Sequence, residues 1–266
     1  MFTNLLNKKC MVFGSSGFIG RALVSRLNSL SVSASLFKHR VESFSDVNDF
    51  LLDADFVFNC ACLADIGECL KDPVSAYKTN VMGVVNILEA SKINKVNRVV
   101  LSSSNIAYGA DTPYRSTILA GEHAGQVYSK NYGMSVISLR YANVYGPGER
   151  KRKLVVENFR NQAKNGKITI FGDGNQVRDF IHVNDVVNSM VTSACSDYCG
   201  IVDICTGVET SIRQLAEMFG CEIELTGERS TDSEDLQQNP DGARRSIGWE
   251  YQIPLKEGIK YATESI

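Results

Sequence analysis

The amino-acid sequence predicts an α/β fold built on a doubly wound parallel β-sheet, with a second, smaller C-terminal part. Two observations predict the sheet. Short apolar runs alternate with amphipathic segments through the first 145 residues, and the first apolar run leads directly into a glycine-rich turn. Alternating strands and helices of this kind form a parallel sheet with helices on both faces. After Pro147 the alternation becomes less regular, which indicates the change to the smaller part.

Strands are predicted where apolar residues form short runs, and helices where apolar residues recur every three or four positions. In the first part the strands lie at 9–14, 31–37, 55–60, 96–103 and 134–141, and the helices at 18–30, 45–52, 74–93 and 114–132. The second part reads as a helix at 153–165, a strand at 168–172, a strand and helix over 179–195, a strand at 200–207, a helix at 211–219, a strand at 222–225, a polar loop at 226–239 and a final helical stretch.

The bulk composition argues against several classes of protein. The 266 residues carry a formal net charge of −2 and a pI of about 6.0, whereas a nucleic-acid surface is normally strongly basic. The basic cluster at 149–153 is interpreted as a solvated loop. No apolar run approaches the ~20 residues of a membrane span, and the N-terminal region lacks the pattern of a signal peptide. We therefore expect a cytoplasmic protein that binds neither nucleic acid nor membrane.

The eight cysteines lie mostly in apolar, strand-like contexts. This setting predicts small buried thiols in a reducing compartment rather than a disulfide framework. Metal binding is the alternative. Cys60 and Cys62 lie on one face of a predicted strand, and Cys195 and Cys199 lack a second pair at zinc-ribbon spacing. We predict no metal.

The first strand runs into the segment GSSGFIG, which contains Gly14, Gly17 and Gly20. Glycines at this spacing permit a tight turn, close approach of a pyrophosphate, and close packing of the helix on the strand. The helix N-terminus then presents free N–H groups and a partial positive charge to the phosphates. A plain turn is the alternative. The position between a strand and a helix favours dinucleotide binding, with Phe18 and Ile19 also at the cofactor.

The end of the second strand reads LFKHR and offers no carboxylate for the adenosine ribose of NAD. Lys38, His39 and Arg40 suit the 2′-phosphate of NADP instead. Exposed charges at a strand end are the other interpretation, and Glu42 is close enough to leave NAD open. We predict NADP, with Lys38 and Arg40 as the residues that bind it.

Five further motifs follow in order. They are SSSNIAYG (102–109), LRYANVYGPG (139–148), GDGNQVRDFIHVNDV (172–186), DICTG (203–207) and IGW (247–249). With the glycine loop they resemble the extended short-chain dehydrogenase/reductases that act on nucleotide-sugars, over essentially the whole chain. The resemblance implies a Rossmann-type dinucleotide-binding domain at 1–147 and a mainly substrate-binding domain at 148–266, with about 178–205 packing back on the first. It also implies a homodimer through the helices at 74–93 and 114–132.

The resemblance carries site residues with it. Ser104 matches the hydroxyl that polarises the sugar oxygen at C4, and Tyr114 matches the tyrosine that acts there as acid or base. Asn143 and Arg178 match residues that contact the nucleotide diphosphate, and Arg229 matches a second phosphate-binding arginine more loosely. The chemistry is consistent, because hydride exchange at an alcohol carbon needs a group that moves the hydroxyl proton.

Each assignment has a structural alternative. Ser104 could simply satisfy a backbone group at a strand end, and Arg178 could pair with Asp173 or Asp179. Asn105 stands where the sugar dehydratases of this family carry an acidic pair, which argues against dehydration.

The chain departs from the family pattern at the catalytic helix. Ile118 occupies the position of the lysine that follows the tyrosine by four residues. Without that charge a tyrosine keeps a pKa near ~10, and about one in a thousand is ionised at neutral pH. Two segments are also short: the loop between Tyr108 and Tyr114, and the connection at 38–54, where the family often has another strand and helix.

Two hypotheses follow. The first is an NAD(P)-dependent epimerase or 4-ketoreductase that exchanges hydride at C4 of a nucleotide diphosphate sugar. The alternative is a catalytically impaired protein of the same fold that binds dinucleotide or nucleotide-sugar without turnover, because Ile118 replaces the lysine.

Overall fold

A computed structural model describes residues 3–109, 111–148, 154–227 and 238–263. The strands are β1 (Cys10–Phe13), β2 (Ala34–Leu36), β3 (Phe56–Asn59), β4 (Arg98–Ser104), β5 (Val136–Tyr141), β6 (Asn143–Tyr145), β7 (Lys167–Phe171), β8 (Val177–His182), β9 (Gly200–Ile204), β10 (Glu209–Ser211) and β11 (Glu222–Thr226). The helices are α1 (Phe18–Ser29), α2 (Phe44–Phe50), α3 (Ile66–Lys71), α4 (Pro73–Tyr77), α5 (Gly83–Ile93), α6 (Pro113–Tyr132), α7 (Val155–Ala163), α8 (Val183–Ala194), α9 (Ile212–Glu217), α10 (Pro240–Ile247) and α11 (Leu255–Thr263).

Six strands form one parallel sheet in the order β2-β1-β3-β4-β5-β9. The chain leaves β1 toward β2 and then returns to place β3 on the other side of β1. The strand order therefore reverses beside β1, and ligands bind in the crevice at the carboxyl ends of such strands. The predicted doubly wound parallel sheet is confirmed.

Helices cover both faces of this sheet, because its strands are apolar on both sides. On one face, Leu23 and Leu27 of α1 pack with Val187 and Met190 of α8 in a fully or almost fully buried core. On the other face, α2, α5 and α6 enclose a second core around Phe13.

The helical segment predicted at 74–93 contains a turn of π-helix. It begins as α4, widens into a π-helix at Lys78–Met82 and continues as α5. Asn80 lies in the widened turn and is buried. Single π turns inside α-helices are frequent at functional sites, and this one lies beside α6.

Two small sheets lie outside the main one. In the first, β8 pairs in parallel with β6 and antiparallel with β10. The second pairs β7 with β11. A third apolar core, built from residues between Tyr145 and Ile259, lies around these strands.

The predicted strand at 31–37 is the clearest difference in the first part, because only Ala34–Leu36 forms β2. Ser31 has a positive φ of 58°, a conformation that a strand does not contain. β2 is also the edge of the main sheet, so it has one neighbour to pair with. The short strands β6 and β10 and the helix α3 were not expected from the sequence.

Candidate functional site

The glycine loop connects β1 to α1 at the carboxyl edge of the sheet. Gly14 has a φ of +69°, and a Cβ atom there would lie 2.5 Å from the backbone nitrogen of Ala61. The Gly17 N–H donates to Gly14 O at 3.0 Å, which closes the turn. A Cβ on Gly20 would collide with the Gly14 backbone. Gly14 and Gly20 therefore require glycine for close packing, and the loop has the shape of a pyrophosphate cradle.

The first turn of α1 points into that cradle. Gly17 is the N-cap and offers no side-chain acceptor to the helix, so the N–H groups at the start of α1 suit an anionic ligand. Phe18 packs its ring against Gly148, where an added Cβ would be 3.1 Å from the ring. The loop and the helix start thus fit the diphosphate of a dinucleotide, which would bring a hydride-carrying ring to the carboxyl edge.

The end of β2 carries the predicted selectivity residues. Lys38, His39 and Arg40 are all exposed. Arg40 donates to both carboxylate oxygens of Glu42 at 3.2 and 3.3 Å. Thr79 donates to the same carboxylate at 2.6 Å. Burial opposes ionisation of Glu42, but the hydrogen bonds from Thr79 and Arg40 outweigh it and lower its pKa.

Tyr114 lies in the first turn of α6, which the local sequence fixes. Thr112 is the N-cap and accepts the Arg115 N–H at 3.1 Å, and Pro113 occupies the first helical position. A capped N-terminus with proline at this position is a strong helix start. The same turn carries Arg115 away from Tyr114, because its guanidinium donates to Ala107 O and pairs with Asp111.

The two predicted catalytic hydroxyls lie on neighbouring elements. Ser104 ends β4, and Tyr114 lies in the first turn of α6, which packs on β4. Tyr114 is only 8% exposed. Burial and then the Cys62 thiol raise the pKa of Tyr114 well above its usual value, and Ser104 lowers it only in part. Ser104 Oγ also accepts the Ile106 N–H at 3.2 Å. It therefore has the structural role considered above.

Ile118 lies one turn after Tyr114 in an apolar cluster. It is 6% exposed and packs with Tyr114, Ile106, Ala107 and Cys69. A charged side chain in such surroundings would lose its hydration. The space next to the tyrosine is therefore shaped for a hydrocarbon side chain.

Asn80 was not expected from the sequence. Its Oδ1 accepts the Leu63 N–H at 2.7 Å, and its Nδ2 donates to Leu63 O and Thr117 Oγ1, both at 3.0 Å. Thr117 in turn donates to Tyr114 O at 2.8 Å. Asn80 thus ties the loop after β3 to the helix that carries Tyr114. The sequence contained one sign of this role, because asparagine is a poor helix former and Asn80 lies inside an apolar helical segment.

A buried ion pair joins α6 to β5, and the sequence did not predict it. Arg140 of β5 donates to both carboxylate oxygens of Glu122 at 2.7 Å. Ser103 donates to the same carboxylate at 2.5 Å. The Arg140 guanidinium stacks on the Tyr108 ring at 4.7 Å, and the Tyr108 hydroxyl donates to Asp203 at 3.0 Å. This network connects α6 to three strands at their carboxyl ends.

We expect Glu122→Gln to lower the free energy of unfolding by about 3 kcal/mol, because it removes one charge of a pair that solvent hardly reaches. The side chains are 3% and 15% exposed in Glu122 and Arg140. Urea unfolding measures the loss. Glu89→Gln is the matched control, since its pair with Lys92 is about one-third exposed on both sides and contributes less than about 1 kcal/mol. Equal losses of unfolding free energy in the two variants would contradict the expectation that the buried pair contributes more than the exposed one.

The predicted substrate residues lie on neighbouring strands. Asn143 on β6 is paired in register with Phe180 on β8, and Arg178 precedes that residue by two. Asn143 Nδ2 donates to Asp179 O at 3.1 Å. The Asp179 carboxylate accepts the Thr206 and Gly207 N–H groups at 2.9 and 2.6 Å.

In the described part of the chain, the Asp179 carboxylate thus accepts hydrogen bonds from Thr206 and Gly207. Burial still raises the pKa of Asp179 despite these hydrogen bonds. Arg229 and the basic cluster at 149–153 lie outside the described residues.

The thiols are less uniformly buried than the sequence predicts. Cys10, Cys69 and Cys205 are buried, whereas Cys62 and Cys199 are exposed. Cys62 follows the end of β3 and Cys199 precedes the start of β9, so neither lies in the apolar surroundings of a strand.

In the described part of the chain no helix is long and apolar enough to cross a membrane.

Comparison with known proteins agrees with this geometry. Residues 10–197 match the family model described as the NAD dependent epimerase/dehydratase family. The UDP-glucose 4-epimerase of Mycolicibacterium smegmatis is 30% identical over 305 aligned positions, covering 96% of this chain and 97% of that protein. The alignment is longer than the 266-residue chain, so the relative contains segments that this chain lacks.

Two solved structures share the fold at 25–26% identity. The UDP-glucose 4-epimerase of Thermus thermophilus, in complex with NAD, superposes with a TM-score of 0.85 over 96% of this chain and 98% of its own. The UDP-glucose 4-epimerase of Thermotoga maritima, solved with UDP-glucose, superposes with a TM-score of 0.86 over 96% of this chain and 97% of its own.

The fold and the glycine loop at its carboxyl edge are those of the extended short-chain dehydrogenase/reductases. The chain belongs to the NAD-dependent epimerase/dehydratase family, as its motifs predict.

Proposed function

We propose that this protein exchanges hydride at C4 of a nucleotide diphosphate sugar with a bound nicotinamide dinucleotide. The observation that carries the proposal is the position of Ser104 at the carboxyl end of β4, on the same edge as the glycine loop, with Tyr114 buried in the first turn of the helix that packs on β4. Ser104 holds the oxygen on C4, and Tyr114 moves its proton. The relatives named above are 4-epimerases of a nucleotide-sugar, which supports the same substrate class.

Reduction of a 4-ketosugar suits this site better than oxidation of the alcohol. Burial raises the pKa of Tyr114, so the phenol stays protonated at neutral pH. A neutral phenol gives a proton to a developing alkoxide, whereas oxidation needs a phenolate that accepts one. An epimerase must carry out both steps at one carbon. We therefore favour a 4-ketoreductase over an epimerase.

The direct test is turnover by the purified protein. A nucleoside diphosphate 4-ketosugar is added with NADPH or NADH, and oxidation of the dinucleotide is followed by absorbance. UDP-glucose is incubated separately, and its epimer is sought by chromatography. We expect reduction of the ketosugar. If neither substrate turns over while both ligands bind, the proposal is wrong.

A second candidate function is favoured by one observation, the apolar cluster around Ile118. A protein of this kind would bind dinucleotide and nucleotide-sugar without chemistry. Binding of both ligands by calorimetry, with product formation no faster than in buffer, is the result that identifies it.

The substrate's diphosphate is proposed to lie against Asn143 and Arg178, with Arg229 as a further contact. On this proposal residues 148–266 mainly hold the substrate, and about 178–205 pack on the dinucleotide-binding part. The two described residues lie on adjacent strands, and a planar guanidinium binds phosphate oxygens in pairs.

Arg178→Lys is expected to weaken binding of UDP about tenfold or more, because an ammonium cannot make the paired hydrogen bonds of a guanidinium. Isothermal calorimetry measures the dissociation constant. Arg244→Lys is the control, since Arg244 is exposed and pairs with Glu250 away from the site. Unchanged UDP affinity in Arg178→Lys would remove Arg178 from the proposed site.

For the cofactor we propose NADP over NAD. Lys38 and Arg40 are exposed at the end of β2, and two cations there suit a 2′-phosphate. Glu42 is the opposing feature, but its carboxylate is already engaged by Thr79 and Arg40.

Lys38→Glu is expected to weaken NADP binding by about 10–100-fold, the usual range for one charge-assisted hydrogen bond. NAD affinity should change little, because NAD has no 2′-phosphate. Fluorescence titration of the reduced dinucleotides measures both constants, with the exposed Lys256→Glu as control. Parallel losses for the two dinucleotides would mean that Lys38 does not select the cofactor.

We also propose a homodimer through the helical segment at 73–93 and α6. These elements leave Val74, Met82, Ile93 and Tyr132 exposed by 52–62%, which is unusual for such apolar side chains unless a partner covers them. Analytical ultracentrifugation at micromolar concentration gives the mass in solution, and a monomer there would contradict the proposal.

A further inference from the structure

Three polar residues in register form a row across the main sheet, one position before its carboxyl edge. Arg140 on β5 pairs with Ser103 on β4 and with Asp203 on β9. Side chains at one register position of neighbouring strands lie on the same face of the sheet. On this face α6 contributes Glu122, whose carboxylate accepts the Ser103 hydroxyl at 2.5 Å and two Arg140 nitrogens at 2.7 Å. The row is therefore fixed to the helix that carries Tyr114.

Tyr108 lies over this row. It ends the short 3₁₀ turn Asn105–Tyr108, which begins directly after Ser104. The Arg140 guanidinium lies 4.7 Å from the centre of its ring, and its hydroxyl donates to both Asp203 carboxylate oxygens at 3.0 Å. Burial is the main reason that the pKa of Tyr108 is raised, so the hydroxyl keeps this proton at neutral pH. Because a hydrogen bond to a carboxylate is stronger than one between neutral groups, the end of the turn is anchored on two strands.

The anchored turn is bonded to one proposed catalytic residue and packed with the other. At its start, the Ser104 hydroxyl accepts the Ile106 N–H at 3.2 Å. In its middle, Ile106 and Ala107 belong to the apolar cluster that contains Tyr114. The guanidinium of Arg115, the next residue of α6, donates to Ala107 O at 3.1 Å. The position of the turn therefore sets the positions of Ser104 and Tyr114 relative to each other.

We propose that Tyr108 is a positioning residue for hydride exchange at C4. The inference rests on the proposed function, because Tyr108 acts on the reaction only through Ser104 and Tyr114. It holds the turn against the sheet, so that the hydroxyl of Ser104 and the phenol of Tyr114 keep a fixed separation. A displacement of ~1 Å in an active site can cost about 10²-fold in rate. The anchor should therefore affect kcat and leave ligand binding almost unchanged.

The hydroxyl of Tyr108 can be removed without unfolding the protein. Tyr108 is 40% exposed, so the substitution Tyr108→Phe opens no cavity in the core. Phenylalanine also keeps the ring beside Arg140. Asp203 is not left without a partner, because it still accepts the Asn239 N–H at 3.0 Å. The variant therefore tests the anchor of the turn separately from the stability of the fold.

Tyr108→Phe is expected to lower kcat for reduction of a 4-ketosugar about tenfold, with KM and the dissociation constants of dinucleotide and UDP within about twofold of the wild type. Absorbance of the reduced dinucleotide and calorimetry measure these values. Asp203→Asn keeps an acceptor oxygen for the phenol and should retain most of the rate. Tyr198→Phe is the matched control, because Tyr198 is 39% exposed and precedes the amino end of β9.

Hydrogen exchange reports on the turn without any turnover. The Ile106 N–H is bonded to Ser104 Oγ, and the Gly109 N–H donates to Ile106 O at 2.9 Å. Loss of the anchor in Tyr108→Phe should raise exchange at these two amides about tenfold or more. Tyr198→Phe should leave their exchange unchanged. Mass spectrometry of the peptide that covers 104–109 measures the rates.

Three outcomes would overturn the role of Tyr108. They are unchanged exchange at the turn in Tyr108→Phe, whether or not the protein turns over; an unchanged kcat in an active protein; and a loss of rate in Asp203→Asn as large as in Tyr108→Phe. Faster exchange in Tyr108→Phe, in a protein that reduces no ketosugar, would support the anchor and contradict only the proposed function.

Discussion

Tyr114→Phe is expected to slow reduction of a nucleotide diphosphate 4-ketosugar by about 10²–10⁴-fold, the usual contribution of a positioned acid. The phenol is the group that gives a proton to the sugar oxygen, and phenylalanine keeps the ring that packs against Ile118. The loss should therefore appear in kcat, while binding of dinucleotide and UDP stays within about twofold. Stopped-flow absorbance of the reduced dinucleotide gives the rate, and calorimetry gives the affinities.

The matched control is Tyr198→Phe, which removes a phenol from an exposed loop residue. It should leave both rate and binding unchanged. If Tyr114→Phe reduces the ketosugar as fast as the wild type, Tyr114 is not the acid and the proposed function loses its central observation. If affinity falls along with rate, the change has disturbed the site instead of removing one proton.

The sheet and the glycine loop could be predicted because their signals are local. Alternating apolar runs give the order of strands and helices, and three glycines within seven residues define a turn that only glycine permits. The catalytic roles of Ser104 and Tyr114 come from the resemblance and stay predictions. The motifs do not specify the long-range contacts that surround the site.

Asn80 and Glu122 show why the rest was missed. Asn80 reaches a loop 17 residues earlier, and Glu122 is bonded to residues 19 positions before and 18 positions after it. Such contacts depend on how helices lie on the sheet, which no short window of sequence specifies. The strands β6 and β10, three residues each, form by pairing with β8. Their own sequences are too short to show a period.

The second large effect is expected when Ile118 is replaced by lysine. Ile118→Lys should raise the rate of alcohol oxidation by about 10–100-fold relative to Ile118→Met, because a cation beside the phenol lowers its pKa and each unit increases the phenolate fraction tenfold. Reduction should change much less, since the protonated phenol is already the working form. The same dinucleotide assay, run in both directions from a nucleotide-sugar and its 4-keto derivative, measures the ratio.

The lysine must enter an apolar cluster, so the gain has a cost in stability. Ile118 is 6% exposed, and we expect Ile118→Lys to lower the free energy of unfolding by about 2–4 kcal/mol through lost packing and desolvation. Ile118→Met keeps an uncharged chain of similar length and should lose less. The ultraviolet absorbance of the phenolate reports the pKa of Tyr114 in both variants. A lowered pKa without faster oxidation would show that phenolate supply does not limit this direction, and hence that Ile118 does not account for a preference for reduction.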